Sequence, residues 1–110
     1  MAGQYFAKER ERFETRRAAE EIPLFFRMFI WLTIDEMMED EAVKMDYLQI
    51  FDFEVIEDDS GKLVQIICHR QEQPKYEKKY SFHDVPEGIK MKLYCIDDGT
   101  AIVLTTPEER

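Results

Sequence analysis

The feature that most constrains this chain is a change of hydrophobic period partway along it. From Leu24 to Met38 there is no glycine or proline, every residue tolerates a helix, and apolar side chains recur at about 100° per residue. From Tyr47 onward the period is two, as in Phe51-Asp52-Phe53-Glu54-Val55, which sends aromatics to one side and acids to the other. One helix followed by a run of strands predicts an α+β fold.

The helix boundaries are legible. Pro23 suits the first helical position, and Glu20 and Glu21 favour the positive end of the dipole. At the other end Glu39-Asp40-Glu41 oppose the dipole and mark where the helix fades. Ile22, Phe26, Phe29, Ile30, Thr33 and Met37 fall on one face, which is the expected core face. The opposite face carries Leu24, Arg27, Met28, Trp31, Asp35 and Met38, of which four are large and apolar. A helix this apolar all round is normally covered on both sides, and a small domain has little material for that. Leu24, Arg27, Met28, Trp31 and Met38 are therefore a candidate partner interface, with Trp31 and Arg27 the residue types of interface anchors. The alternative is that the chain's own N-terminal arm or a crossing strand covers them.

The strands follow from turn chemistry. A strand over about 47–57 and one over Leu63–His69 flank Asp58-Asp59-Ser60-Gly61 and form a hairpin. Pro74 interrupts, so Tyr76–Phe82 is expected at an edge. Met91–Ile96 and Ala101–Thr105 flank Asp98-Gly99, the strongest short hairpin signal in the chain. Phe13-Glu14-Thr15-Arg16 also alternates and could form a short edge strand. The expectation is a mostly antiparallel β-meander of four to six strands, with one main α-helix packed on one face. The 110 residues fit one domain, read as a polar arm at 1–12, the α+β domain at 13–106 and a short tail at 107–110.

Charge and cysteine content bound the function. The formal net charge is −9, and residues 35–59 alone carry eleven acids against Lys44. Such a field repels phosphate backbones, so direct nucleic-acid binding is disfavoured; the segment is either a solvated surface or a face for a basic partner. The longest apolar run, Leu24–Ile34, is far short of the ~20 residues of a membrane span, and no secretory signal precedes it. The chain is expected in the cytoplasm, with Cys68 and Cys95 as reduced core thiols.

Catalytic and metal signatures are weak. His69 and Glu72 are three apart, which on a strand sends them to opposite faces and works against a shared metal. Cys68 beside His69 diverges in the same way, and Asp97-Asp98 reads as turn chemistry before Gly99. Asp58-Asp59-Ser60-Gly61 lacks the ligand spacing of a calcium loop. No catalytic residue, cofactor or metal is assigned. Gln49, His69, Gln71 and Glu72, at the ends of paired strands, are a candidate polar patch. A minor alternative is an enzyme using His69 with Asp97 across strands.

Several stretches resemble a known bacterial family. They are Phe13-Glu14-Thr15-Arg16, Glu21-Ile22-Pro23, Trp31 with Ile34-Asp35, and Asp46-Tyr47-Leu48-Gln49-Ile50-Phe51. His69-x-Gln71-Glu72-x-Pro74-x-Tyr76 and Tyr94-Cys95-Ile96-Asp97-Asp98 complete the set. The chain is similar over residues 13 to about 105 to the domain of unknown function 960, first collected from staphylococcal proteins. The resemblance implies a small cytosolic protein of Gram-positive bacteria, some relatives being associated with phages and conjugative elements, and it carries no catalytic residue. Two departures stand out: Arg17 where a glycine is expected, and Ile102-Val103-Leu104-Thr105-Thr106-Pro107 where a Thr-Met-Leu-Leu stretch followed by acids is expected. The combined expectation is a non-enzymatic protein-interaction module, homodimeric through the Trp31 face in one form. Its alternative is an acidic decoy of a basic nucleic-acid-binding protein of the kind mobile elements carry.

Overall fold

The computed structural model describes residues 5–110. Six strands, β1 (Glu11–Glu14), β2 (Leu48–Glu57), β3 (Leu63–Gln71), β4 (Tyr76–His83), β5 (Met91–Asp97) and β6 (Ala101–Thr105), form one sheet in the order β1-β6-β5-β2-β3-β4. Two helices, α1 (Arg16–Glu21) and α2 (Leu24–Glu39), lie between β1 and β2. The fold is α+β with one main helix, as the change of period implies.

The meander is broken in two places. β2-β3-β4 is a continuous antiparallel meander, and β5-β6 is an antiparallel hairpin. β5 does not follow β4 at the edge; it pairs antiparallel with the other side of β2, Phe51 opposite Leu93. The connection after β4 crosses back at the end of β2 and β3, where Gln65 clamps it. Ile89 N–H donates to Gln65 Oε1 at 2.7 Å, and Gln65 Nε2 donates to Ile89 O at 2.9 Å. A Cβ on Gly88 would lie 2.5 Å from Val55 Cγ2, so this crossing needs glycine. The second break is at the other edge, where β1 pairs parallel with β6, Phe13 opposite Val103.

One face of the sheet holds the core. Phe51, Phe53, Ile67, Leu93, Cys95, Ile102 and Leu104 are buried there beneath Ile22, Phe26, Ile30, Ile34 and Met37. Full burial of each such side chain contributes about 1.5–3 kcal/mol. Ile22, placed on the core face by its phase, is buried but lies between the helices; α2 proper begins at Leu24 after Pro23. Neither α1 nor α2 covers the opposite sheet face, where the C-terminal turn packs, Arg110 lying over the Tyr94 ring at 5.6 Å. That face carries Asp52, paired with Arg70 at 3.0 Å and Lys92 at 3.7 Å, among Ile66, Tyr94, Ile96 and Val103.

The chain ends are built into this frame. Residues 1–4 of the expected arm lie outside the described residues, but Phe6 is in the core, and its N–H donates to the buried Asp97 carboxylate at 2.6 Å. Arg10 Nε lies 3.0 Å from the same carboxylate. The expected arm boundary at residue 13 thus falls inside β1. Arg17, where a turn glycine was expected, sits in α1 and pairs with Glu21 at 2.6 Å. Ile102–Thr105 keeps a strand. The tail forms a 3-10 turn over Pro107–Glu109, and Thr15 Oγ1 donates to Glu109 Oε1 at 2.6 Å, closing one end of the chain on the other.

Candidate interaction surface

The outer side of α2 divides into two flanks. Alternation along β1 points Arg12 and Glu14 to the helix side of the sheet and leaves Phe13 on the other. Glu14 then accepts two bonds from α2, from Arg27 Nη1 at 2.7 Å and from Trp31 Nε1 at 2.8 Å. Arg27 also donates through Nε to Ile22 O at 2.8 Å. The Arg12 guanidinium lies over the Trp31 ring, 5.0 Å from its centroid, pairs with Asp35 and touches Met38 Sδ at 3.5 Å. Of the five sequence-derived interface residues, Arg27, Trp31 and Met38 are therefore half-buried against the chain's own first strand.

The crest of the helix is bare. Leu24, Phe25, Met28 and Leu32 are 59%, 62%, 61% and 56% exposed. Leu24 and Met28 belong to the sequence-derived set; Phe25 and Leu32 do not. The signal for them is angular: at 100° per residue both lie within about 40° of the direction opposite Ile30. The sequence-derived set is centred on Trp31, which lies only about 100° from Ile30, so it is rotated toward β1 and excludes them.

The stripe continues onto the sheet edge. Phe25 meets Phe82 edge-on at 5.7 Å, and Phe29 meets Phe82 at 5.0 Å and Tyr80 at 4.9 Å. Between Phe25, Phe82 and the loop carrying Val85, Pro86 and Ile89 opens a cleft of about 620 Å³. Burial raises the Tyr80 phenol above its ordinary value. The result is an apolar tract running from the helix crest to the outermost strand.

The candidate polar patch is a buried lock. Gln49, His69 and Gln71 face the helix side of β2 and β3 and are buried; Glu72 lies outside them in an exposed turn. Gln71 Nε2 donates to Lys44 O and Pro74 O, and its Oε1 accepts from Asp46 N–H and from Gln49 Nε2. Gln49 Nε2 also donates to Asp46 O, which leaves its Oε1 to accept from His69 Nε2 at 2.7 Å. That chain of bonds fixes the tautomer: Nε2 carries the proton, and Nδ1 is a buried acceptor with no donor among the described residues. His69 stacks on Phe51 at 4.4 Å, and burial lowers its pKa to about 4. The cluster ties the loop before β2 to the turn after β3, which includes a cis Gln73–Pro74 bond. Asp97 is held by Phe6, Gly99 and Arg10, and His69 by Gln49, so each has partners other than the other.

The remaining candidates scatter. Cys95 is buried and Cys68 half-buried, both thiols pushed up by burial. Asp58 and Asp98 accept hydrogen bonds within their turns, chiefly from the Ser60 hydroxyl and the Ala101 N–H, which hold both carboxyls below the usual range. Among the described residues no three His, Cys, Asp or Glu side chains gather as a metal site requires, and no helix is long and apolar enough to cross a membrane. The acids of 35–59 are split between the α2 end, the open sheet face (Asp52, Glu54) and the β2–β3 turn.

A family model described as "Staphylococcal protein of unknown function (DUF960)" matches residues 11–109. The chain belongs to that family. The DUF960 match begins at the first residue of β1 and ends in the 3-10 turn, so it takes in Glu14 on one side and Glu109 on the other. It also spans the whole apolar tract on α2 and β4. No curated protein and no solved structure matches the chain.

Proposed function

We propose that this DUF960 protein is a non-enzymatic protein-interaction module of the cytoplasm whose contact surface is the crest of α2. The observation that carries the reading is the exposure of Leu24, Phe25, Met28 and Leu32 on adjacent turns of one helix, contiguous with the Phe82 cleft. Contiguous apolar surface of this kind marks a partner site on a small domain, and the adaptable Met28 suits a packed interface. Trp31 serves this surface indirectly, by fixing α2 to β1 through Glu14.

The acidic-decoy alternative has less support, because the 35–59 acids lie on different sides of the molecule and Asp52 is neutralised locally by Arg70 and Lys92. It requires binding that collapses between low and moderate salt, whereas apolar docking is nearly insensitive to it. The test is a photo-crosslinking amino acid at position 28, with position 56 as control, since Ile56 is also exposed but lies on the open sheet face. In the native host, position 28 gives a discrete protein adduct and position 56 does not. Equal labelling at both, or none at 28, removes the reading.

A further inference from the structure

β4 is the outer strand of the sheet, and among the described residues its only strand neighbour is β3. The edge runs unbroken from Tyr76 to His83, with a row of backbone groups free to pair. Short or bulged edges avoid this exposure; β4 is neither, and its protection rests on Lys78 and Lys79. The helix-side residues of the same strand, Tyr80 and Phe82, carry the apolar tract that begins on α2. Backbone donors and an apolar flank thus lie side by side on one border of the molecule.

We propose that a second copy of this chain docks here, the two β4 strands pairing antiparallel about a two-fold axis at Tyr80. The idea rests on the α2 crest being a contact surface, and it names the partner. Charge and strand length together fix the register. In an antiparallel pair related by an axis normal to the sheet, opposed residues share a face, so only even registers are allowed. Centring the axis on Lys78 or on Lys79 sets lysine against lysine, and centring it on Glu77 sets acid against acid. Centring on Tyr80 places Glu77 opposite the second copy's His83, Lys79 opposite its Ser81 and Lys78 opposite its Phe82, with no like charges opposed. Centring on Ser81 or Phe82 also opposes no like charges, but pairs at most the five residues Lys79–His83, against the seven of Glu77–His83 for Tyr80. The lysines that guard the edge against other strands therefore admit this one. Because the axis keeps both helices on the same side of the joined sheet, the Phe25–Leu32 flanks turn toward each other across the seam.

Light scattering after size exclusion, in the tens of micromolar, tests this. The wild type is expected at twice the 13.2 kDa chain mass. Ser81→Lys, an exposed change that sets lysine opposite Lys79 twice per dimer, weakens association about tenfold, and adding Lys79→Glu to it restores the dimer. Urea midpoints of both variants, taken at a dilution where all three proteins are single chains, stay at the wild-type value, separating association from folding. A dimer indifferent to Ser81→Lys overturns the β4 pairing. A single-chain mass throughout overturns self-docking, while a position-28 adduct to a different protein in that case leaves the interaction reading standing; loss of the adduct as well ends both.

Discussion

At the scale of single residues the most informative is His69. Its ring is buried between Phe51 and Tyr76, its Nδ1 lone pair meets no donor among the described residues, and burial holds its folded pKa at about 4, below the ordinary 6.5. The unfolded chain therefore takes up the proton first as pH falls. The contribution is intact above pH 6.5, declines between 6.5 and 4, and amounts to about 3 kcal/mol across that window. Urea unfolding at stepped pH checks it: His69→Gln, which retains a donor for Gln49, should flatten the curve between pH 6.5 and 4. Parallel curves for the two proteins would show that His69 does not titrate this way. The residues of this cluster were legible in the sequence as strand-end polar groups, but their burial was not. Gln49 and Gln71 are satisfied by main-chain groups of Lys44, Asp46 and Pro74, loop positions with no periodic signal.

Elements were legible where the interaction that makes them is local. α2 follows from its 3.6-residue period and the β2–β3 and β5–β6 hairpins from Gly61 and Gly99, both at positive φ. The strand expected at Phe13–Arg16 lies two residues earlier, at Glu11–Glu14, with Thr15 capping α1, because the parallel pairing of β1 with β6 joins residues about ninety apart and leaves no pattern between them. The same distance hid the role of Glu14, which is one charged residue in a short strand until Arg27 and Trp31 arrive beside it. Removing it strands a half-buried guanidinium and an indole N–H. Glu14→Ala is expected to cost about 1.5–3 kcal/mol in urea unfolding, whereas Arg16→Ala, which breaks only an exposed i,i+4 pair with Glu20, costs roughly 0.5 kcal/mol or less. Equal effects from the two would mean that β1 does not anchor α2.

On the scale of the molecule, the sheet is covered by α2 on one side and left with a mixed charged and apolar face on the other, and its two edges differ. The β1 edge is four residues long and lies where Phe6, Arg10 and Glu109 gather the chain ends; the β4 edge is twice as long and continues an exposed apolar crest. From sequence alone the excess apolar surface of α2 is evident and its direction follows from the angle to Ile30; what the helix pattern does not carry is the burial of Trp31, which Glu14 brings about from β1. That asymmetry between edges is the central claim, and amide hydrogen exchange of the wild-type chain across a dilution series addresses it directly. The account expects exchange in Tyr76–His83 to slow as concentration rises, with Glu11–Glu14 unchanged. Rates in Tyr76–His83 that stay fixed from the most dilute to the most concentrated sample would contradict it.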